Sequence, residues 1–261
     1  MAVMDEFKEE RQALKNGTPK EKISYFFYYY KWHVLIAVFA VILIVSFIVQ
    51  LTRNKEDALY VCMLNTLTKS SDGYLSYSES DVYPDAFAEY AGIDTSEYDI
   101  RIDTTMSIDY DSLDENTITS AQKYMAYLAA GEMDVMITDV DTLENYSYQE
   151  DFYDLREILS PEQLQEYEPY FYYIDMAVVE ERNKQLDDPN NLTGELDLEM
   201  PDPRDPDSME EPVPVGIYLD DCENLRANYY YRSDDVVACV FVNTKRLDNA
   251  LAFIDFVWEN K

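Results

Sequence analysis

Residues 34–51 (VLIAVFAVILIVSFIVQL) form an apolar run with no charged residue. Eighteen residues in a helix cover about 27 Å, close to the roughly 30 Å hydrocarbon core of a bilayer. Aromatic residues 25–30 and Trp32 precede the run, and Arg53 and Lys55 follow it, as is common at membrane interfaces. The run therefore predicts a single transmembrane helix.

Two other interpretations of this run are a buried helix of a soluble protein and a cleaved signal peptide. An uncharged stretch of this length with an aromatic collar is unusual for a core helix. The leader carries five acidic residues, and the exit sequence QLTR lacks the small residues of a cleavage site. We therefore expect an uncleaved anchor at residues 34–51, between residues 1–33 and a domain of residues 52–261.

The basic residues that flank the run indicate its orientation. The leader contains six, whereas the first twenty residues after the run contain three, Arg53, Lys55 and Lys69. The positive-inside rule then places the N-terminus in the cytoplasm and residues 52–261 on the extracytoplasmic side. We expect a single-pass protein of the cell membrane.

Residues 52–261 carry a net charge of −34 within a chain total of −33, because residues 1–51 contain six basic and five acidic residues. Nucleic-acid binding through phosphate neutralisation needs clustered Lys and Arg, so this class of function is excluded. The negative field favours solubility, and it can also attract cations or a basic partner.

Few residues are available for the common kinds of catalysis. The single histidine, His33, excludes Ser-His-Asp and Cys-His catalysis in the C-terminal domain. The six glycines form no phosphate-binding or dinucleotide-binding loop. Cys62, Cys222 and Cys239 match no zinc motif, and buried thiols are favoured over a Cys222–Cys239 disulfide. We predict that the chain is not an enzyme and has no cofactor.

Acidic clusters leave two alternatives open. Asp109, Asp111, Asp114 and Glu115 offer several oxygens for calcium, but the glycine and the terminal glutamate of an EF-hand loop are missing. We expect a solvated loop there and no metal site. A carboxylate pair for glycoside hydrolysis is recognised by its separation in space, which so acidic a sequence does not reveal.

Strand and helix patterns alternate along residues 52–261. Apolar runs predict strands at residues 58–64, 98–106, 133–138, 213–219 and 236–242, the last one in a parallel or central position. Periodicity and capping residues predict helices at 81–92, 117–131, 141–148, 151–159 and 161–173, and a last helix capped by Thr244. Thr117 or Thr119 suits the start of the second helix and Gly131 its end.

These alternating patterns predict an α/β fold, in which a largely parallel sheet carries helices on both faces. Residues 187–212 differ from the rest, because prolines and acids dominate and apolar residues are sparse. They are predicted to form an exposed excursion with little structure of its own.

Three segments resemble bacterial extracellular solute-binding proteins of the periplasmic-binding-protein-like II type. Residues 118–139 (ITSAQKYMAYLAAGEMDVMITD) look like the helix and strand that lead to the ligand cleft. Residues 152–161 are similar to the acidic helix that follows, and residues 236–258 to the closing strand, Asn-Thr turn and helix. The leader, residues 18–34, looks like the juxtamembrane stretch of single-pass proteins from Gram-positive gut anaerobes.

The resemblance implies a solute-binding-like domain reduced to about one lobe. The place of a second lobe holds only the excursion at 187–212, and a membrane helix replaces the usual lipidated cysteine. One lobe does not close on a solute as a hinged clamp does. The expected function is therefore a membrane-anchored, non-catalytic binding or assembly module. An accessory receptor for a small solute or sugar, serving a membrane transporter, is the alternative.

The residues expected to contact a solute or protein partner are Asp139, Asp141, Asn243 and Thr244, because they lie at predicted strand ends. Helix capping is an alternative role for Asp139 and Asp141. Tyrosines form two further clusters, at residues 167–173 and 229–231. Such clusters suit either packing in the core or contact with a protein or sugar.

Overall fold

The computed structural model describes residues 18–53, 55–70, 72–77, 82–112, 114–191, 196–220 and 222–259. The chain divides into two compact units, Met1–Lys55 and Glu56–Lys261. Parts of several predicted segments lie outside the described residues: residues 1–17 of the leader, residues 78–80, Asp81 at the predicted helix start, and residues 192–195 of the excursion.

One long helix, α1 (Pro19–Arg53), makes up the described part of the first unit. Its segment Tyr30–Val49 has a mean hydropathy of 2.8, and none of it is buried. The helix begins well before the apolar run, at a proline, which suits a first helical turn. The chain thus has an N-terminal helix long and apolar enough to span a membrane, whereas a buried core helix would be covered by other residues.

The second unit is a mixed α/β domain. Nine strands form a six-stranded sheet in the order β4-β1-β5-β9-β7-β6 and a small sheet in the order β3-β2-β8. The strands are β1 Glu56–Cys62, β2 Leu67–Lys69, β3 Leu75–Ser76, β4 Tyr98–Asp103, β5 Val135–Asp139, β6 Phe171–Asp175, β7 Pro212–Tyr218, β8 Tyr229–Tyr230 and β9 Val236–Val240.

The six-stranded sheet is mostly parallel, because β1, β4, β5 and β7 run in the same direction. Strand β1 pairs in parallel with β4 and β5. Strand β9 is inserted antiparallel between β5 and β7, and β6 pairs antiparallel with β7 at the edge. Residues 236–240 occupy the central, buried position predicted for 236–242, whereas the strand ends at Val240 and Val242 is exposed.

Eight helices accompany these strands within the described part of the second unit. They are α2 Val82–Ala91, α3 Glu115–Ala130, α4 Val140–Ser147, α5 Leu155–Ile158, α6 Pro161–Tyr167, α7 Met176–Asp187, α8 Glu223–Asn228 and α9 Leu247–Glu259. Helix α3 ends where predicted, since Gly131 adopts a left-handed conformation (φ 61°) and its N–H donates to the Leu128 carbonyl. Its N-cap, however, is Asp114 rather than Thr117 or Thr119.

Two predicted helices are shorter than expected. The helix predicted over 151–159 is reduced to α5, because Phe152 pairs with Phe241 as an isolated β-bridge. The helix predicted over 161–173 ends at Tyr167, and the chain then forms edge strand β6. The capping box of Ser160 and Gln163 fixes the start of α6 but not its end.

The sheet carries a hydrophobic cluster on each side of β1. Leu59, Val61 and Met63 belong to one cluster, and their neighbours Tyr60, Cys62 and Leu64 belong to the other. Such alternation follows from strand geometry, in which successive side chains point to opposite faces. This burial on both sides explains why the strand sequence is continuously apolar rather than alternating.

Most clustered tyrosines pack in the interior. Tyr167 and Tyr172 of the first cluster are buried, as are Tyr229 and Tyr231 of the second. The three cysteines are buried free thiols, in agreement with the preference drawn from the sequence.

Of the excursion predicted at 187–212, Asp187 ends α7 and Pro212 begins β7; the described residues between them, 188–191 and 196–211, contain one 3₁₀ turn, Pro206–Ser208, and neither strand nor α-helix. They are nevertheless attached to the domain. The Arg204 guanidinium stacks 3.5 Å from the Tyr218 ring centroid and pairs with Asp220 at 2.6 Å. Prolines and acids thus predict the lack of regular structure here but not the attachment.

Candidate functional site

A pocket of about 180 Å³ opens at the carboxyl ends of the parallel strands β1, β4 and β5. It is called the strand-end pocket here and is lined by Asn65, residues 108–111, Asp139, Asp141, Thr142 and Arg232. Ligands of α/β sheets commonly bind at this edge. Two of the four residues predicted from the sequence, Asp139 and Asp141, therefore lie together at one candidate site.

Asn65 joins the three chain segments that enclose the strand-end pocket. Its Oδ1 accepts a hydrogen bond from the Ile108 N–H at 2.8 Å, and its Nδ2 donates to the Ile108 carbonyl at 3.0 Å and to Thr142 Oγ1 at 3.1 Å. The residue has φ 56°, a left-handed conformation that asparagine tolerates better than most residues. The turn after β1 thus holds both the segment after β4 and the start of α4.

The two carboxylate oxygens of Asp139 differ in their hydrogen bonding. Oδ1 accepts a hydrogen bond from the Thr142 N–H at 2.9 Å and caps α4. Oδ2 is buried and has no hydrogen-bond partner within the described ranges, although only 1% of the residue is exposed. A buried oxygen without a donor is rare and costly, so it calls for an explanation.

The charges around the strand-end pocket are unequal. Asp109, Asp111 and Asp141 are exposed at the rim, and together with Asp139 they face one positive side chain, Arg232. Arg232 is exposed, and no ion pair or hydrogen bond involves it in the part of the chain that the structure describes. The net negative lining favours a positively charged ligand.

The other two predicted site residues, Asn243 and Thr244, lie at the opposite end of the strands, near the amino end of β5. Strand β9 runs antiparallel to β5, with Val236 beside Asp139 and Val240 beside Val135. The residues after β9 therefore meet the start of β5 rather than its end. The four predicted residues therefore do not line one site, because a buried apolar run reveals the burial of a strand but not its direction.

Asn243 and Thr244 instead belong to a structural network. Asn243 Nδ2 donates to the Leu128 carbonyl at 2.5 Å, and Thr244 Oγ1 donates to the buried Asp134 at 2.5 Å. Asp134 also accepts from Arg246 Nε at 2.8 Å. Helix α9 begins only at Leu247, so Thr244 does not cap it as predicted.

The four acids considered for calcium are divided between separate tasks. Asp114 caps α3, and Asp109 Oδ1 accepts from the Asp111 N–H at 3.0 Å within a turn. Across the described residues, no group of three or more His, Cys, Asp or Glu side chains is arranged to hold a metal ion. Only Asp109 and Asp111 of these four acids line the strand-end pocket, where they contribute negative charge.

A second buried carboxylate, Asp103, lies at the end of β4. It accepts from Tyr60 Oη at 2.5 Å and from Lys123 Nζ at 2.6 Å, and its Oδ1 accepts from the Thr105 N–H at 2.8 Å. Burial alone would raise the pKa of Asp103, but these donors hold its pKa below the usual range. Its hydrogen bonds are thus made within the domain.

A larger groove lies between α7 and residues 197–210, with a volume of about 810 Å³ and a lining of eight carboxylates and Lys184. Its buried member, Asp175, accepts from the N–H groups of Ala177, Glu210 and Glu211 at 2.8–3.0 Å. Burial would raise the pKa of Asp175, but these three donors lower it overall. The groove therefore contains acidic charge without an unpaired buried group.

Asn65 and Arg232 are pocket residues that sequence reasoning did not single out. Asn65 follows an apolar strand within a short turn, a position where asparagine often adopts a left-handed conformation, and this was the available signal. Arg232 carries no such signal, because the insertion of β9 beside β5 brings it to the pocket.

Comparison of the chain with protein-family models, with curated proteins and with solved structures finds no match.

Proposed function

We propose that the chain is a non-catalytic binding module that α1 anchors in the cell membrane, with the α/β unit on the extracytoplasmic side. The strand-end pocket is its binding site. The observation that carries this proposal is the buried Asp139 Oδ2, which lacks a donor within the described residues at the edge of the sheet where ligands bind.

An uncleaved anchor with an inward N-terminus is supported by the sequence around α1. The segment Tyr30–Val49 is twenty residues long, enough for about 30 Å of hydrocarbon. The acidic leader and the exit without small residues disfavour cleavage, and the excess of basic residues before the span favours a cytoplasmic N-terminus.

The proposed domain is solute-binding-like and consists of one lobe, with helices on both faces of its sheet. Tyr83 of α2 and Phe253 of α9 share one hydrophobic cluster, and Tyr124 of α3 and Val179 of α7 share the other. The described part of the excursion adds no second sheet that could close over the pocket. A ligand would therefore be bound from one side and remain accessible to a further partner.

Binding without catalysis is supported by the state of the nucleophilic groups. Burial raises the pKa of Cys62 and Cys239 well above the ordinary thiol value, which disfavours the reactive thiolate. The negative charge of Asp103 raises the pKa of Cys62 further. Neither cysteine lines the strand-end pocket.

A second candidate is an accessory receptor that presents a small solute or sugar to a membrane transporter. The size of the strand-end pocket, about 180 Å³, favours this role over the binding of a large ligand. The two candidates differ in whether a transporter copurifies with the chain in proportion to ligand occupancy.

A thermal-shift screen of the full-length chain in nanodiscs tests the proposed function. A library of neutral, cationic, anionic and sugar compounds should contain a ligand that stabilises the wild type by up to about 2.7 kcal/mol at 100 times its dissociation constant. The same ligand should not stabilise Asp139→Asn, and mass spectrometry should recover it unchanged. The proposal is wrong if no compound binds, or if every compound that binds stabilises Asp139→Asn as much as the wild type.

A further inference from the structure

The unpaired Asp139 Oδ2 needs a hydrogen-bond donor, and the other aspartates of the strand-end pocket favour a donor that is positively charged. Only 1% of Asp139 is exposed, and its Oδ1 is already used by the Thr142 N–H. The neighbouring amide of Asn65 is committed to Ile108 and Thr142. No described side chain donates to Oδ2 in this structure, so a ligand in the strand-end pocket can supply the missing donor.

We propose that the strand-end pocket binds the ammonium group of a small organic amine, with Asp139 Oδ2 as a hydrogen-bond acceptor and Asp141 adding negative charge at the rim. This inference rests on the proposed function and names the ligand class of the same site. An ammonium is a compact cation with three N–H donors, so it supplies both the missing hydrogen bond and the opposite charge.

The other ligand classes fit these observations less well. An anion would meet four aspartates, and the Thr142 amide at the start of α4 is already bound by Asp139. A hard metal ion prefers six or more oxygen ligands, whereas no three acidic side chains are suitably grouped anywhere in the described chain. A neutral sugar could donate a hydrogen bond, but it would leave the surplus negative charge uncompensated.

The size of the strand-end pocket limits the amine. A volume of about 180 Å³ has room for roughly six water molecules at the ~30 Å³ that each occupies in the liquid. This suits a short aliphatic amine or the aminoalkyl end of a longer molecule. The larger acidic groove offers no comparable site, because its buried Asp175 already has three donors.

Arg232 provides an internal check on the ligand charge. Its exposed guanidinium lines the pocket and repels a simple cation, so Arg232→Gln should tighten amine binding several-fold at low salt. A ligand that carries an anionic group as well would instead lose affinity in this variant. Weaker binding in Arg232→Gln would therefore contradict a simple amine.

The experiment uses three probes of equal chain length: n-propylammonium, propan-1-ol and propionate. Binding to the full-length chain in phosphatidylcholine nanodiscs is measured by calorimetry. We expect saturable binding of propylammonium, with propan-1-ol and propionate at least tenfold weaker. Equal binding of propan-1-ol, or stronger binding of propionate, would overturn the inference.

The key variant is Asp139→Asn, whose side-chain oxygen still caps α4. It should weaken propylammonium binding about tenfold or more, because a hydrogen bond to a charged group is lost. Asp114→Asn is the matched control, since it changes the cap of α3 outside the pocket and should leave affinity unchanged. If Asp139→Asn does not fold, Asp141→Asn, at an exposed position, should still weaken binding severalfold.

The outcomes separate this inference from the function on which it rests. If the thermal-shift screen finds a non-amine ligand that Asp139→Asn loses, the binding module stands and the amine is wrong. If neither the amine nor any library compound binds, both proposals fail.

Discussion

At the scale of single residues, buried carboxylates define the interior of this acidic domain. Asp103 ends edge strand β4, Asp134 lies just before central strand β5, and Asp139 ends β5; at most 1% of each is exposed. The first two are surrounded by donors from distant parts of the chain, whereas Asp139 has an unpaired oxygen. This difference separates structural carboxylates from the candidate binding group.

Asp134→Asn should destabilise the domain by about 2–4 kcal/mol, because breaking a buried ion pair leaves an uncompensated charge. Asp134 accepts from Tyr60 N–H at 2.7 Å and from Arg246 Nε at 2.8 Å. Urea unfolding followed by circular dichroism measures the loss. Glu132→Gln, which removes the nearby exposed pair with Lys245, should cost at most about 1 kcal/mol. Equal costs for both variants would contradict the role given to Asp134.

Asp103 should make stability depend on pH in acid. Its pKa is lowered in the fold, so the ionised form adds stability that is present above the unfolded value of about 3.9 and is lost as pH falls through the folded pKa. The stability difference between wild type and Asp103→Asn should therefore be full at pH 5 and above and shrink below about pH 4.

Asp57 gives the control of opposite sign for this pH dependence. Burial raises its pKa despite Arg101 and Arg246, so its ionisation opposes folding. The stability of wild type relative to Asp57→Asn should then increase as pH falls. Urea titrations at pH 3 to 7 measure the stability of the wild type relative to each variant. If both differences changed with pH in the same direction, the opposite pKa shifts given to Asp103 and Asp57 would be wrong.

At the scale of elements, sequence patterns predict which segments are buried better than they predict how those segments pair. The central strands β1, β5, β7 and β9 are visible as apolar runs. The sequence pattern predicts a helix through the first three residues of edge strand β6 (FYYID), because these aromatic residues follow a well-capped helix start. No local sequence pattern indicates that β9 runs antiparallel to β5. For this reason Asn243 and Thr244, predicted as site residues, lie at the end of the strands away from the strand-end pocket.

The close contact of β7 with β9 depends on Gly216. A Cβ at this position would lie 2.5 Å from Val237 Cγ1 and 2.8 Å from Cys239 Sγ. Gly216→Ala should therefore destabilise the domain by about 1–3 kcal/mol through overpacking, as measured by thermal unfolding. Gly92→Ala is the comparison, since Gly92 has open space and its cost comes from φ 67° alone. If Gly216→Ala did not lower the stability of the domain, the two strands would not be packed this closely.

The turn at Asn65 is the element that gives the strand-end pocket its shape. Asn65→Gly preserves the left-handed conformation but removes the side-chain hydrogen bonds to Ile108 and Thr142. We expect a loss of about 1–3 kcal/mol and weaker binding of whichever ligand the thermal-shift screen identifies. Hydrogen exchange should show faster exchange of the Ile108 amide, and unchanged protection there would contradict the proposed role of the turn.

At the scale of the whole molecule, the sequence predicts the division into an apolar helix and an acidic α/β unit because both follow from composition and periodicity. The strand-end pocket is only half predictable. Asp139 and Asp141 are visible as acids that follow an apolar strand, whereas Asn65 and Arg232 meet them through contacts between residues far apart in the chain. The orientation proposed for the anchor follows from flanking charges, and it is open to direct measurement.

Buried native thiols make cysteine labelling suitable for measuring this orientation. Cys62, Cys222 and Cys239 are buried, so a membrane-impermeant maleimide should not react with the wild-type chain in intact cells. Glu89→Cys, at an exposed position of α2, should be labelled in intact cells, and Thr18→Cys, before the span, only after lysis. The reverse pattern would place the α/β unit in the cytoplasm and remove the extracytoplasmic part of the proposed function, while leaving the chemistry of the strand-end pocket to be judged by ligand binding alone.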